Sequence, residues 1–209
     1  VAFGGHTLRT DKKVAKYQNS PESEIYSKSR ELYGLFFAKK AIQQEDMAIM
    51  VEGYADVISM HQAGVENVVA SSGTSLTEEQ IRLLGRFTRN ITLMYDGDKA
   101  GVKAALRGVD LVLKENMNVR IVLLPEEHDP DTFARAHSSD ELRAYIREQA
   151  QDFLAFKAQL LLGDATDPQT RSEAIRDMVH SIALIPDTIK RKEYVKYCAG
   201  IMQVDEQTL

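Results

Sequence analysis

The sequence predicts an α/β fold: a four-stranded parallel sheet flanked by helices, followed by a small all-α helical bundle. Three observations carry this. Four short apolar runs stand at residues 47–51 (MAIMV), 67–70 (NVVA), 91–95 (ITLMY) and 119–124 (VRIVLL). Patterns of helical length and spacing lie between them. After Leu124 the apolar runs cease and only helical patterns follow.

Each run is short and largely apolar, as buried strands are when helices cover both faces of a sheet. The intervening segments 54–63, 77–87 and 99–116 have helical spacing. Thr77 followed by Gln80 fits a capping box, which marks a helix start. Strand and helix in alternation imply right-handed crossovers and a parallel sheet. Segments 140–149, 152–162, 169–185 and 188–202 read as four further helices. Gly163, Pro168 and Pro186 punctuate their junctions. Residues 1–42 read differently: turns at Gly4-Gly5 and Asn19-Ser20-Pro21, then a helix through 28–40. The expected organisation is therefore 1–42 as the end of a preceding basic subdomain, 43–125 as the sheet domain and 126–209 as a helical subdomain. The chain opens on Val1 and not on Met, and is read as a fragment of a longer protein.

Composition narrows the function. No apolar run approaches the roughly 18 residues that cross a bilayer, so no membrane role is expected. Cys198 is the only cysteine, which rules out an intrachain disulfide or a four-cysteine zinc site within the chain. A lone thiol suits a reducing, cytoplasmic setting. Net charge is −5 but is unevenly spread. Residues 1–40 carry eight Lys/Arg against four Asp/Glu, whereas residues 126–209 carry ten against sixteen. A basic segment ahead of an acidic remainder allows an anionic partner at one end.

The strand ends carry the chemistry. Ligands of open parallel sheets bind beyond the carboxyl ends of the strands. Here the first strand ends into Glu52, Gly53 and Asp56, and the third into Asp96, Gly97 and Asp98. The fourth is followed by Asp129, Pro130 and Asp131. Six carboxylates near one edge repel each other, and a hard divalent cation relieves that repulsion. Mg²⁺ takes oxygen ligands, keeps several waters and suits one or two carboxylates plus substrate phosphates. Local readings compete. Asp98 and Asp129 both fit helix N-caps, with Pro130 at the first helical position. Asp56 fits a first-turn acid favoured by the helix dipole. Glu52, an acid ending an apolar strand before Gly, has the weakest local explanation.

The same residues resemble a known family. Glu52-Gly53-Tyr54 with Asp56, and Asp96-Gly97-Asp98 some forty residues on, resemble the Toprim domain of primases, topoisomerases and certain nucleases. Longer strings narrow this to the bacterial DnaG-type primases: KYQNSPE at 16–22, KSRELYG at 28–34, VEGYADV at 51–57, DGDKAG at 96–101 and DPDT at 129–132. The resemblance runs from Val1 to about Ala136 and continues more weakly through the helical tail. It implies a Toprim-type sheet and synthesis of RNA primers from ribonucleoside triphosphates on a single-stranded DNA template. It implies Glu52, Asp96 and Asp98 as principal, catalytic metal ligands. Asp56, Asp129 and Asp131 would complete the acidic site, directly or through water. The cofactor would be Mg²⁺, with Mn²⁺ as an alternative. Lys16, Asn19 and Lys28 match the basic ridge used for template and incoming nucleotide. By the same resemblance, zinc belongs to an N-terminal module ahead of Val1. A helicase-binding domain is expected beyond Leu209. The setting would be the replication fork in the bacterial cytoplasm, and autonomous activity of the fragment is not expected.

Two departures stand out. His6 follows Gly4-Gly5 where many family members have Arg, so no phosphate contact is carried over to it. Ala55 stands where the family often has Met, a change expected to affect packing alone. Three other classes share part of the pattern. Another Toprim enzyme, a topoisomerase or nuclease, would have the same acids. A receiver-type Mg²⁺-binding signalling domain would also need a Lys late in the sheet, which nothing after the fourth strand supplies in context. A non-catalytic DNA-binding module would bind without metal.

Overall fold

The structure is a computed structural model that describes residues 2–6, 17–71, 75–163 and 167–209. In chain order its elements begin with β1 (Gly4–His6) and β2 (Tyr17–Asn19), then α1 (Leu35–Glu45), β3 (Ala48–Val51), α2 (Tyr54–Gln62), β4 (Val68–Ala70) and α3 (Glu78–Leu84). They continue with β5 (Asn90–Tyr95), α4 (Lys99–Lys114), β6 (Asn118–Leu123), α5 (Pro130–Ala136), α6 (Ser139–Gln149), β7 (Gln151–Asp152), α7 (Phe153–Leu162), α8 (Pro168–Ala183) and α9 (Thr188–Met202).

The main sheet has the order β4-β3-β5-β6-β7. Its first four strands are parallel, with Met50 opposite Val69 and Leu93, and Leu93 opposite Ile121. These are the four strands the sequence predicts, each within one residue of its expected bounds. Side chains alternate across a strand, and the core divides accordingly. Met50, Val69, Leu93 and Ile121 face one apolar cluster, packed with Ile42 of α1, Ile81 of α3, Val109 of α4, Phe153 of α7, Met178 of α8 and Cys198 of α9. Ile49, Val68, Met94 and Val122 face the other, with Val57 and Met60 of α2, Phe133 of α5, and Leu142 and Ile146 of α6. Each such buried side chain is worth about 1.5–3 kcal/mol. Covered on both faces, β3 and β4 are buried along their whole length and need no polar alternation, whereas β6 exposes Asn118 and Arg120 at its start.

Two expectations are corrected. Strands do not end at Leu124: β7 adds a fifth, antiparallel strand beside β6, pairing Ile121 with Gln151. Two residues are too few to show a period, and Gln151-Asp152 carries no β-branched side chain. The helix expected through 28–40 starts only at Leu35. Gly34 turns the chain with φ of 84°, a left-handed conformation suited to glycine. The backbone before it is held from outside. The fully buried Gln80 donates from Nε2 to the carbonyls of Lys28 (3.0 Å) and Glu31 (2.9 Å), and Thr77 Oγ1 donates to Ser29 O. Tyr33 forms a bridge with Ala70. Tertiary partners thus take the backbone groups that a helix would have paired.

The expected capping box at α3 is present. Thr77 accepts from the Gln80 amide and the Gln80 side chain accepts from the Thr77 amide. Among the described residues no helix is long and apolar enough to cross a membrane.

Candidate metal and phosphate site at the strand ends

Parallel strands place their carboxyl ends on one edge, and β3 and β5 are neighbours in the sheet. The acids following them therefore lie at the same edge of the sheet. Glu52 follows β3 directly and is exposed. Asp96 and Asp98 follow β5, the first half-buried and the second exposed.

Several of the acids also serve the backbone. Asp56 is buried, and its Oδ2 accepts from the Gly53 amide at 2.8 Å, closing the first turn of α2. Asp98 is the N-cap of α4, accepting from the Gly101 amide at 2.8 Å. Asp129 is the N-cap of α5, accepting from the Thr132 amide at 2.8 Å, with Pro130 next in line. The local readings of Asp98 and Asp129 as caps are thus borne out in geometry. Asp131 pairs with Arg135 at 2.9 Å and accepts from Ser59 of α2, so it ties α5 to α2.

Two cavities open at this edge. One, of about 750 Å³, lies between the N-terminal segment and α2; Lys28, Tyr54, Ser71, Asp131 and Arg135 line it. The other, of about 550 Å³, lies toward α4; Glu52, Ser71, Tyr95 and Arg107 are in its wall. Ser71, just past β4, faces both. Lys28 is half-buried and its amide donates to Glu22. The Gln80 bond to its carbonyl fixes where the side chain begins. Asn19 ends β2 and is half-buried. Lys16 lies outside the described residues.

Burial raises the Tyr95 phenol above its ordinary value, and the Glu52 carboxylate beside it adds to the effect. The hydroxyl therefore stays protonated at neutral pH and remains a donor. Burial also raises Tyr54, with Tyr26 and Tyr33 contributing; its ring meets Tyr33 edge-on at 4.8 Å.

The donor chemistry fits a hard divalent cation, since the candidates are carboxylates at the end of a parallel sheet. Among the described residues no group of three or more potential ligands is already gathered tightly enough to hold a metal. That suits an ion held by one or two carboxylates, with water and phosphate completing its shell. Sequence reasoning missed Ser71, Arg107 and Arg135. None belongs to a motif, and each reaches the edge only through folding.

Comparison with known proteins fits this geometry. A Toprim-like family model matches residues 49–134, and the model of the N-terminal domain of the DNA primase catalytic core matches 1–39. The Toprim-like match implies use of a divalent metal. A third model, the DnaB-helicase binding domain of primase, matches residues 156–207. This corrects the expectation that such a domain lies beyond Leu209: the match falls on α7–α9, helices whose sequence carries no motif to announce it. A DNA primase of Staphylococcus epidermidis is 35% identical over 210 residues, covering all of this chain and 35% of the relative. The chain thus spans about a third of that relative's length. A solved DnaG catalytic core superposes with a TM-score of 0.84 at 33% identity, covering 100% of this chain and 68% of the other. A DnaG catalytic domain bound to single-stranded DNA gives 0.85 at 34%, covering 100% and 67%. Agreement in sequence along the whole length and in fold leads to one conclusion: the chain belongs to the DnaG-type DNA primase family, as a segment of its catalytic core.

Proposed function

We propose that this chain supplies the metal-binding half of a primase active site, which makes RNA primers from ribonucleoside triphosphates on single-stranded DNA. The observation that carries the reading is the position of Glu52 and of Asp96 with Asp98 at the carboxyl ends of adjacent parallel strands. Glu52, Asp96 and Asp98 hold Mg²⁺, or Mn²⁺ in its place, and Asp56, Asp129 and Asp131 complete the acidic surround. When bound, such a cation polarises phosphoryl oxygens and stabilises attacking and leaving oxygens.

The reaction is nucleotidyl transfer. A 3′-oxygen attacks the α-phosphorus of a ribonucleotide, the bond to the bridging oxygen breaks, pyrophosphate departs and the hydroxyl proton passes to solvent. Lys28, with Asn19 and Lys16, holds template and nucleotide phosphates; such contacts position without reading sequence and weaken with salt. Tyr54 and Arg135, in the same cavity as Lys28, bound the space for the nucleotide. Zinc has no place in this segment, whose single thiol is buried, and belongs to another module of the longer protein. The likeness of α7–α9 to a helicase-binding domain supports docking of the replicative helicase on those helices. The setting is the bacterial cytoplasm at the replication fork.

The test is Asp96→Asn in the longer primase. Primer synthesis is expected to be abolished with the fold intact by circular dichroism; synthesis at the wild-type rate would sink the reading. Relaxation or nicking of supercoiled DNA by the wild-type protein would favour the topoisomerase or nuclease alternative.

A further inference from the structure

The cavity on the α4 side of Glu52 has no role in the reaction as described so far. Its carboxylates and its cations are not in equal positions. Asp110, on α4, accepts from Ser181 Oγ at 2.7 Å, and Ser181 accepts from the buried Lys157 Nζ at 2.7 Å. A cation of α7 thus stands two links behind this carboxylate. Lys157 also pairs with Asp177 at 2.7 Å. Arg107, by contrast, makes no salt bridge among the described residues. Among the described residues, the one salt bridge of Lys114 is a 3.9 Å contact with Glu78.

Arg107 and Lys114 are seven residues apart, two turns along one face and about 10 Å. Both line the cavity. α4 starts at the strand-end edge and runs away from it. Side chains of a helix lean toward its N-terminus, so Arg107 leans back toward Glu52. Ser71 and Ser75 add hydroxyls to the wall. Donors and cations therefore line a space beside the carboxylate assigned to the metal. Glu52 alone would repel an anion; a cation on it reverses that.

We propose that this cavity binds pyrophosphate, bridged between a divalent cation at Glu52 and the Arg107 guanidinium. The leaving group of nucleotidyl transfer then departs on the α4 side, while template and nucleotide base occupy the Lys28 cavity across Ser71. The proposal rests on the reading of Glu52 as a metal ligand.

Titration calorimetry of the 209-residue chain with pyrophosphate tests it. Binding is expected in Mg²⁺ and lost without it. Arg107→Gln should weaken it by at least about ten-fold, the worth of one charge-assisted contact. Lys28→Gln should weaken it less. Mn²⁺ affinity, followed by electron paramagnetic resonance without pyrophosphate, should be the same in Arg107→Gln as in the wild type. A parallel titration with a non-hydrolysable ribonucleoside triphosphate separates two sources of the same chemistry. An Arg107 effect on pyrophosphate alone makes the cavity an exit site; equal effects on both make it the seat of the β- and γ-phosphates as well. Unchanged pyrophosphate binding in Arg107→Gln, or loss in Lys28→Gln alone, overturns the assignment. Failure of the wild-type chain to take up Mn²⁺ overturns the metal reading itself, and this proposal with it.

Discussion

The turn after β3 and the turn after β5 begin alike, with an acid and a glycine closing an apolar strand, yet they are built differently. After β3, Asp56 reaches back to the Gly53 amide and settles the first turn of α2, while Glu52 stands exposed. After β5, the backbone is crowded. A Cβ on Gly97 would lie 2.1 Å from the Leu124 carbonyl oxygen, and one on Gly101 would lie 2.2 Å from that of Asp96. Asp98 meanwhile caps α4. The first turn displays an acid by giving the capping work to its neighbour. The second places its acids by close backbone packing. An acidic edge can thus be made either by exposing a carboxylate while its neighbour closes the helix turn or by clamping the chain that bears it.

The comparison can be broken at the second turn first, where the largest effect is expected. Gly101→Ala puts a methyl against the Asp96 backbone and should destabilise the fold by about 1–3 kcal/mol, read as a lower urea midpoint. Gly200, with nothing within 4 Å of its missing Cβ, is the control. Gly200→Ala should be neutral or slightly stabilising, since alanine is the better helix former. Equal losses at both positions would remove the argument from crowding.

Glu52→Gln tests the first turn. Losing one charged ligand should lower Mn²⁺ affinity by about ten-fold, or about 1.4 kcal/mol, with thermal stability unchanged. A variant that binds Mn²⁺ as tightly as the wild type would show that exposure at the strand end is incidental.

The smallest effect separates two roles of Asp98. Asp98→Ala should cost about 1 kcal/mol, the usual worth of an N-cap. Asp98→Asn keeps an accepting oxygen and should restore most of that, while still weakening Mn²⁺ binding. If Asn restores both, Asp98 is a cap alone.

Much of the edge was legible beforehand because its signals are local. Thr77 and Gln80 announce a capping box, Pro130 follows its cap, and four apolar runs mark buried strands. The N-terminal segment was misread because its helical composition is overruled from 48 residues or more away, where Thr77 and Gln80 hold the backbone of 28–31. The cavity walls were illegible for a related reason. Ser71, Arg107 and Arg135 are ordinary surface types until the crossovers set them around one edge.

By itself the sequence determined the parallel sheet, its acidic carboxyl edge and the family, because buried apolar runs and helix caps are written in short stretches of chain. The tertiary structure alone decided that β7 closes the far edge of the sheet, that α7–α9 share a core with α4, and that Ser71 stands between two cavities. Such facts depend on which distant segments meet, and the free energy of those meetings comes from burying apolar surface, which has no direction and so does not name the segment it will be buried against.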